Sequence, residues 1–525
     1  LDKSATNERS RQYASRSNQS ELNAAMTQSP ENEKGFAGTA FKGAVFLTVL
    51  RWVVRFIGLI SISITARILT PEDFGVHSTA AIIVGLFTIL QYSGSQEFLV
   101  KRDRVTDSVL NTSWTVRVGL TSLIALGILA ISPFAPALLN EPRVFDVLLI
   151  YAFIPLVDAL ANPKMMLLLR NMEFGTLFKI RLIERIIGFV TLIGAVVYFK
   201  SYWGIIVGYA SSSVIFTLYT YIRWTYRPRL ETEHFKEVGS FASVALVRAF
   251  SKYISQTSDS VAARQIMSSD IFGGYHNSKD LARNLVGEVA GSIGTALMPA
   301  MSKMRGDAAR FGTAACNAFG AIFILAAALS CGLNLVAKET VAILLGDQWE
   351  FAVPFLQLTA LIVCFNSLVR VLSNFFIAAD RQVLLTTFII SRAVVTVLLA
   401  LWLIRYGDPL VLLYAMISIA AATVLALMVT LSIIANLGLG LFKATVRPAI
   451  AVACMAFGAP EAYEAFGILE WSLFPAAIAK VVIGGFLYAV SIAGLWLLAG
   501  HPEGPEQALM DRTGLKWRRW FAARA

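Results

Sequence analysis

Charge is scarce in this chain. Of its 525 residues only 15% are Asp, Glu, Lys or Arg, against about 25% in a soluble domain. The shortage accompanies repeated apolar runs of roughly 20 residues, each long enough to cross ~30 Å of hydrocarbon as a helix. Together they exclude a water-soluble globule. Cysteine and histidine are scarce too, with four of each. Cys316, Cys331, Cys364 and Cys454 stand in apolar segments at wide spacing, and the histidines are scattered. Neither a disulfide framework nor a metal site is indicated, and the cysteines read as small buried hydrophobes. No cofactor motif is present. No loop between spans exceeds about 25 residues once helices of spanning length are placed, so none can hold a soluble catalytic domain. Residues 1–40 are polar and rich in Ser, Asn and Glu, without an apolar h-region or cleavage pattern. A secretory signal is therefore not expected, and the first span does that work. This tail is expected to be disordered.

What remains is an all-α polytopic membrane protein. About fourteen transmembrane helices are predicted from the ~20-residue spanning length, over 43–66, 76–97, 117–138, 146–168, 181–199, 203–224, 239–262, 277–301, 314–336, 352–378, 383–404, 410–435, 447–466 and 473–499. The thirteenth has the least apolar sequence, because its run ends near Pro460 and Glu461 and Glu464 follow. With both termini cytoplasmic, about 30 of the 45 Lys and Arg fall on the cytoplasmic side, as the positive-inside rule requires. The net charge of +11 is then a topology and anionic-leaflet signal, not a sign of nucleic-acid binding. The segment Gly514-Leu-Lys-Trp-Arg-Arg-Trp-Phe521 reads either as an interfacial anchor or as a solvated tail.

Two arginines interrupt the first span, Arg51 and Arg55 in VLRWVVRFIGLISISITAR. An arginine at mid-helix costs ~2.5–3.5 kcal/mol on the insertion scale, so such groups normally face water or a partner. Spaced i,i+4, they share one face. The same device returns 197 residues later: Arg51 aligns with Arg248, Arg55 with Lys252, and Ala66-Arg67 with Ala263-Arg264. Phe74-Gly75 matches Phe272-Gly273 after one residue of slip, and Arg185-Ile-Ile-Gly-Phe-Val resembles Arg392-Ala-Val-Val-Thr-Val. The pattern predicts two pseudo-symmetric six-helix lobes, 41–228 and 229–435, related by an axis along the membrane normal. Two extra helices lie in 436–500, and 501–525 is a basic cytoplasmic tail. Gln91 and Tyr92 end the second span, Arg248, Lys252, Ser255 and Asp259 line the seventh, and the eighth carries Lys279, Asp280, Arg283 and Glu288. These groups are expected to form a wet cationic cavity between the lobes that receives an anion through Arg51, Arg55, Arg248, Lys252, Lys279, Arg283, Gln91 and Tyr92. Structural readings stand beside this one. Arg51 and Arg55 can snorkel or pair with Glu97, Asp158 or Glu288. Lys279 and Arg283, placed near the outer mouth, can form a plain rim. Asp259 and Glu288 are candidates for a coupling Na⁺ or H⁺, although Asp259 can simply pair with Lys252.

Three stretches carry a resemblance. Ala66-Arg-Ile-Leu-Thr-Pro-Glu-Asp-Phe-Gly75, Tyr275-His-Asn-Ser-Lys-Asp-Leu-Ala-Arg-Asn284 with Ala296-Leu-Met-Pro-Ala-Met-Ser-Lys303, and Leu344-Leu-Gly-Asp-Gln-Trp-Glu-Phe-Ala-Val-Pro-Phe-Leu-Gln357 resemble bacterial polysaccharide flippases of the Wzx type. Their order and spacing cover about residues 41–435. The resemblance implies the multidrug/oligosaccharidyl-lipid/polysaccharide exporter (MOP) superfamily. It further implies a flippase moving undecaprenyl-pyrophosphate-linked oligosaccharide to the periplasmic leaflet of the bacterial inner membrane, for exopolysaccharide, capsule or lipopolysaccharide assembly. Partners implied are that lipid-linked glycan, membrane lipids, a polysaccharide polymerase and chain-length proteins. In related lipid II flippases basic residues of the first and seventh-to-eighth helices line the cavity, which carries the role to Arg51, Arg55, Arg248 and Lys252. Tyr92, Tyr209, Tyr253 and Tyr275 are available to stack on sugars. Two rivals remain. A cation-coupled multidrug exporter of the same superfamily favours an acidic or apolar pocket. A membrane polysaccharide polymerase or glycosyltransferase carries a large catalytic loop, absent here.

Overall fold

The computed structural model describes residues 30–91, 99, 105–235, 237, 253, 257–287, 301, 304, 308–403, 408–500 and 504. They are helical throughout their ordered elements, as an all-α membrane chain requires when lipid offers the backbone no hydrogen bonds. Among them ten helices are long and apolar enough to cross a membrane, or eleven if one bent pair counts as a span. The protein is a multi-pass membrane protein.

In chain order the helices are α1 (Pro30–Ile68), α2 (Pro71–Gln91), α3 (Asp107–Ile131), the short α4 (Ala135–Leu139), α5 (Val144–Tyr151), α6 (Phe153–Ala159), α7 (Lys164–Arg170), α8 (Phe174–Phe199) and α9 (Tyr202–Arg223). Helical residues 257–266 follow, then α10 (Ser269–Ala282), which passes into a π-turn at Arg283–Gly287. The chain continues through α11 (Ala308–Leu335), α12 (Ala337–Leu344), a 3₁₀ turn at Asp347–Ala352, α13 (Val353–Ala378), α14 (Gln382–Leu403), α15 (Pro409–Ile434), α16 (Gly440–Ala465) and α17 (Leu473–Leu498). The end of the bundle at which α1 turns into α2 is termed the upper end.

Several expected boundaries move, each for a physical reason. Helix α1 begins at Pro30, inside the stretch read as a tail. The expected third span, 117–138, starts ten residues earlier at Asp107. Its polar first turns are tied down by the connection that follows α9. Asn111 Nδ2 donates to Glu231 Oε2 at 3.0 Å, Tyr226 Oη donates to Asn111 Oδ1 at 2.7 Å, and the Glu231 backbone N–H donates to Thr115 Oγ1 at 3.0 Å. The expected fourth span is broken, with 144–159 and α7 bent by 63° where Pro163 precedes α7. The eighth, expected at 277–301, starts at Ser269, because its first turns are polar and escape a hydropathy reading. The thirteenth is a full helix through Pro448 and Pro460. Glu461 and Glu464 sit exposed in its last turns. Cys331 and Cys364 are buried as expected, whereas Cys454 is exposed on α16.

At the upper end the two halves interlock. A Cβ added to Gly75 would lie 1.8 Å from the Ser269 carbonyl oxygen, and one on Gly273 would lie 2.1 Å from that of Pro71. Only glycine admits this approach, so α2 and α10 cross backbone to backbone at the two positions matched in the sequence repeat. Two arginines of the same repeat close the corners. Arg67 Nη2 donates to Ile343 O of α12 at 2.8 Å. Arg264 Nη2 donates to Asn140 O just past α4 at 2.9 Å. Each meets the C-terminal end of a short helix in the other half, where carbonyls lack intrahelical donors and a cation is favoured.

The residues of the first motif now have structural work. Thr70 and Asp73 form a reciprocal cap on α2, with Thr70 N–H to Asp73 Oδ2 at 3.0 Å and Asp73 N–H to Thr70 Oγ1 at 3.3 Å. Pro71 takes the first helical position, where its missing N–H costs nothing. Asp73 Oδ1 also accepts the Tyr202 N–H at 2.9 Å, which ties α2 to α9. From the third motif, Trp349 Nε1 donates to Ala66 O at 2.9 Å and its ring meets Phe74 edge-on at 5.3 Å. Leu69, Phe74, Leu345, Trp349 and Leu356 share one buried cluster across the two halves.

Candidate functional site: a polar chamber below the upper seal

Helix α1 has two unlike faces. At 100° per residue, Arg51, Arg55 and Gly58 fall on one side. Val49, Phe56 and Ile60 fall on the other and are exposed, Phe56 at 59% and Ile60 at 51%. On that wheel the arginines lie off this apolar strip, with Arg51 exposed and Arg55 half-buried. The Arg55 guanidinium lies 5.2 Å from the Trp52 ring centroid, a cation–π contact. The apolar span of α1 is Thr48–Ile68.

A third basic group joins this face. A Cβ on Gly58 would lie 3.7 Å from Arg185 Nη2, so the α8 guanidinium reaches α1 one turn above Arg55. The sequence marked Arg185 only as half of a repeat. Its counterpart Arg392 donates to Asn366 Oδ1 at 2.6 Å.

On the other half, α10 presents the second cluster. Lys279 Nζ bonds Asp259 Oδ2 at 2.6 Å and Ser260 Oγ at 2.8 Å, while Tyr275 Oη donates to the same Asp259 oxygen at 3.0 Å. Asp259 thus pairs with Lys279, and a coupling cation would have to displace that ammonium; the Lys252 alternative lies outside the described residues. Arg283 Nη2 bonds Asp280 Oδ1 at 2.7 Å, as the i,i+3 spacing suggested. Because α10 opens at Ser269, Lys279 and Arg283 lie roughly 15 and 21 Å below its upper end at 1.5 Å per residue. This corrects their placement near the outer mouth. Arg283 also opens the π-turn, a feature that recurs at functional sites.

Gln91 is the last residue of α2. Tyr92, Arg248, Lys252 and Glu288 lie outside the described residues. Asp158, weighed as a partner for Arg51 and Arg55, instead accepts the Ser213 hydroxyl. Sequence reasoning missed His77, Tyr151 and Glu184. With Asp158 and Tyr209 they line a cavity of about 390 Å³ in the N-terminal half. Its lining residues, from His77 to Phe216, all belong to that half.

Above the chamber, the Glu141 carboxylate joins the halves. Arg143 Nε donates to it at 2.7 Å, Arg264 Nη2 approaches at 3.4 Å, and Ser269 Oγ also donates to it. Burial acts to raise this carboxyl, but the bonds from Arg143 and Ser269 outweigh it and hold it below its ordinary range.

Comparison with known proteins decides the family. The family described as "Polysaccharide biosynthesis protein" matches residues 64–354, more than half of the chain. The chain belongs to this family. It is 22% identical over 350 residues to the lipopolysaccharide biosynthesis protein WzxC of Escherichia coli (strain K12), covering 65% of this chain and 70% of that one. It is also 22% identical to the succinoglycan biosynthesis transport protein ExoT of Rhizobium meliloti (strain 1021), over 58% of this chain and 62% of that one. Among solved structures, the lipid II flippase MurJ in its inward closed conformation superposes with a TM-score of 0.65 at 14% identity, covering 86% of this chain and 99% of that one. An inward-facing multidrug resistance MATE family transporter of the MOP superfamily reaches 0.53 at 12% identity, over 74% and 99%. At such identities these two likenesses speak for the fold.

Proposed function

We propose that this protein flips undecaprenyl-pyrophosphate-linked oligosaccharide from the cytoplasmic to the periplasmic leaflet of the bacterial inner membrane, feeding exopolysaccharide, capsule or lipopolysaccharide assembly. Both termini are then cytoplasmic and the upper seal is periplasmic. Fourteen spans form two six-helix lobes plus the pair α16–α17. The lobes rock about the chamber while the polyprenyl tail stays in lipid. A Na⁺ or H⁺ gradient is the candidate drive.

One observation carries the reading: the basic face of α1 is turned away from its exposed apolar strip and is joined by Arg185. Dragging a sugar–pyrophosphate head through hydrocarbon strips water from every polar group, at several kcal/mol each. Guanidinium groups in a wet chamber replace that water with charge-assisted bonds to phosphate oxygens. Lys252 and Arg248 are proposed to complete the set from the C-terminal half.

The test is reconstitution into liposomes with a lipid-linked oligosaccharide, scoring outer-leaflet exposure with and without a sodium or proton gradient. Neutralising Arg55 and Lys252 to glutamine is expected to slow exposure at least tenfold, the equivalent of ~1.4 kcal/mol. An unchanged rate in that variant would reject the cationic chamber.

A further inference from the structure

We propose that the cavity bounded by α2, α5, α6, α8 and α9 is a saccharide subsite, which holds the sugar attached next to the pyrophosphate. This deepens the flippase reading and rests on it. The cavity measures about 390 Å³, within the range of small-ligand sites, ~300–1,000 Å³. A monosaccharide or disaccharide head fits, and a longer glycan does not.

Its lining has the two chemistries a pyranose needs. A pyranose has an apolar C–H face and a rim of hydroxyls. For the face there are aromatic rings: His77 stacks on Tyr209 with centroids 5.8 Å apart at 24°, and Tyr151 meets His77 edge-on at 6.0 Å. The stack is held in place, since His77 Nδ1 lies 2.6 Å from Tyr151 Oη. For the rim there are the carboxylates of Asp158 and Glu184 and the hydroxyls of Ser212 and Ser213. Asp158 already accepts the Ser213 hydroxyl and Glu184 pairs with Arg181 at 2.8 Å, and each carboxylate keeps acceptor capacity for a sugar hydroxyl.

The position matches a sugar joined to an anion. Arg185 links the two places, because its guanidinium approaches α1 at Gly58 and its chain neighbour Glu184 lines the cavity. Arg55 and Glu184 stand at similar depth, thirteen residues below Ile68 and fifteen below Phe199, or roughly 20 Å. His77 and Tyr209 lie six and seven residues below the tops of α2 and α9, or roughly 10 Å. A pyrophosphate among Arg51, Arg55 and Arg185 therefore has the cavity directly above it, towards the seal.

The experiment measures binding of two probes to the purified full chain in nanodiscs. One is bare undecaprenyl pyrophosphate; the other is lipid-linked oligosaccharide extracted from the source cells. Wild type is expected to bind the glycan-bearing lipid more tightly. Tyr209→Ala is expected to lose roughly tenfold for that lipid alone, down to the affinity of the bare one, whereas Tyr209→Phe keeps the ring and most of the affinity. A wild-type readout covers the case of a misfolded variant: in a background free of native cysteines, Ser212→Cys should be shielded from maleimide by the glycan-bearing lipid and not by the bare one. Equal loss for both probes in Tyr209→Ala, no loss for either, or equal shielding by both overturns the subsite and leaves the flippase reading intact. Failure of wild type to bind either probe overturns the flippase reading, and the subsite with it.

Discussion

At the scale of the residue, Arg264 shows how much one guanidinium can hold. Its side chain is 2% exposed and its donors meet Met267 O at 2.6 Å, Asn140 O at 2.9 Å, Ser269 Oγ at 3.1 Å and Glu141 Oε2 at 3.4 Å. Arg264→Met leaves Glu141 short of a cation in a dry place, so a loss of about 3 kcal/mol is expected in detergent unfolding curves. Arg264→Lys keeps the charge but not the planar fork, and should recover only part of it. Equal stability of all three proteins would contradict this role.

Glu141 supplies a pH dependence. Its carboxyl is held below its ordinary range in the sealed form. Such a group contributes above its free pKa, and the contribution vanishes as pH falls through the lowered value. Protection factors of the amides in residues 135–145 should therefore be flat from about pH 8 to 5 and fall only in more acidic solution. Glu141→Gln should remove that dependence. Protection lost between pH 7 and 5 would rule it out.

Some residues were legible in the sequence and others were not. The i,i+4 pair of Arg51 and Arg55 announced a polar face because helical spacing is local. The Lys279–Asp259 pair spans a turn whose position was misread by eight residues, so its register was hidden. His77 and Tyr151 are 74 residues apart, and a lone histidine on an apolar helix carries no sequence signal of a partner.

At the scale of the element, the crossing of α2 and α10 is the contact that admits least change. Gly75→Leu forces α2 off Ser269. It should prevent sealing, read as new access of aqueous maleimide to a cysteine placed at Ser78, which is 1% exposed in the sealed form. A Ser78→Cys site equally protected with and without Gly75→Leu would contradict the crossing. The pair α16–α17 is anchored differently. Lys480 Nζ lies 2.6 Å from Glu339 Oε1, with side chains 11% and 9% exposed, and so ties α17 to α12. Removing one partner strands a buried charge, so Lys480→Met should cost about 3 kcal/mol, and Lys480→Met with Glu339→Leu clearly less. Additive losses in that cycle would show that the two groups act independently. Long apolar helices were legible to within a few residues. Those that moved, α3, α10 and α16, open on polar turns or contain proline, and tertiary contacts rather than hydropathy fix their ends.

At the scale of the molecule, stretches matched in the sequence stand near corresponding helix starts. Helix α2 opens at Pro71 and α10 at Ser269, while α8 opens at Phe174 and α14 at Gln382. The matched residues Arg67 and Arg264, and Gly75 and Gly273, do more than mark descent. Each half uses them to hold the other at one end of the membrane. Conversely, the wall of the N-terminal cavity was hidden, because it is assembled from five helices and none of its lining residues belongs to a motif. The central claim is that Arg55 faces a wet chamber that takes a phosphorylated head. Its most direct measurement is the reactivity of Arg55→Cys, in a background without native cysteines, toward a membrane-impermeant thiol reagent added from the cytoplasmic side. The account predicts prompt labelling that undecaprenyl-pyrophosphate-linked oligosaccharide suppresses. Labelling only by lipid-soluble reagents, or labelling indifferent to that lipid, would contradict it.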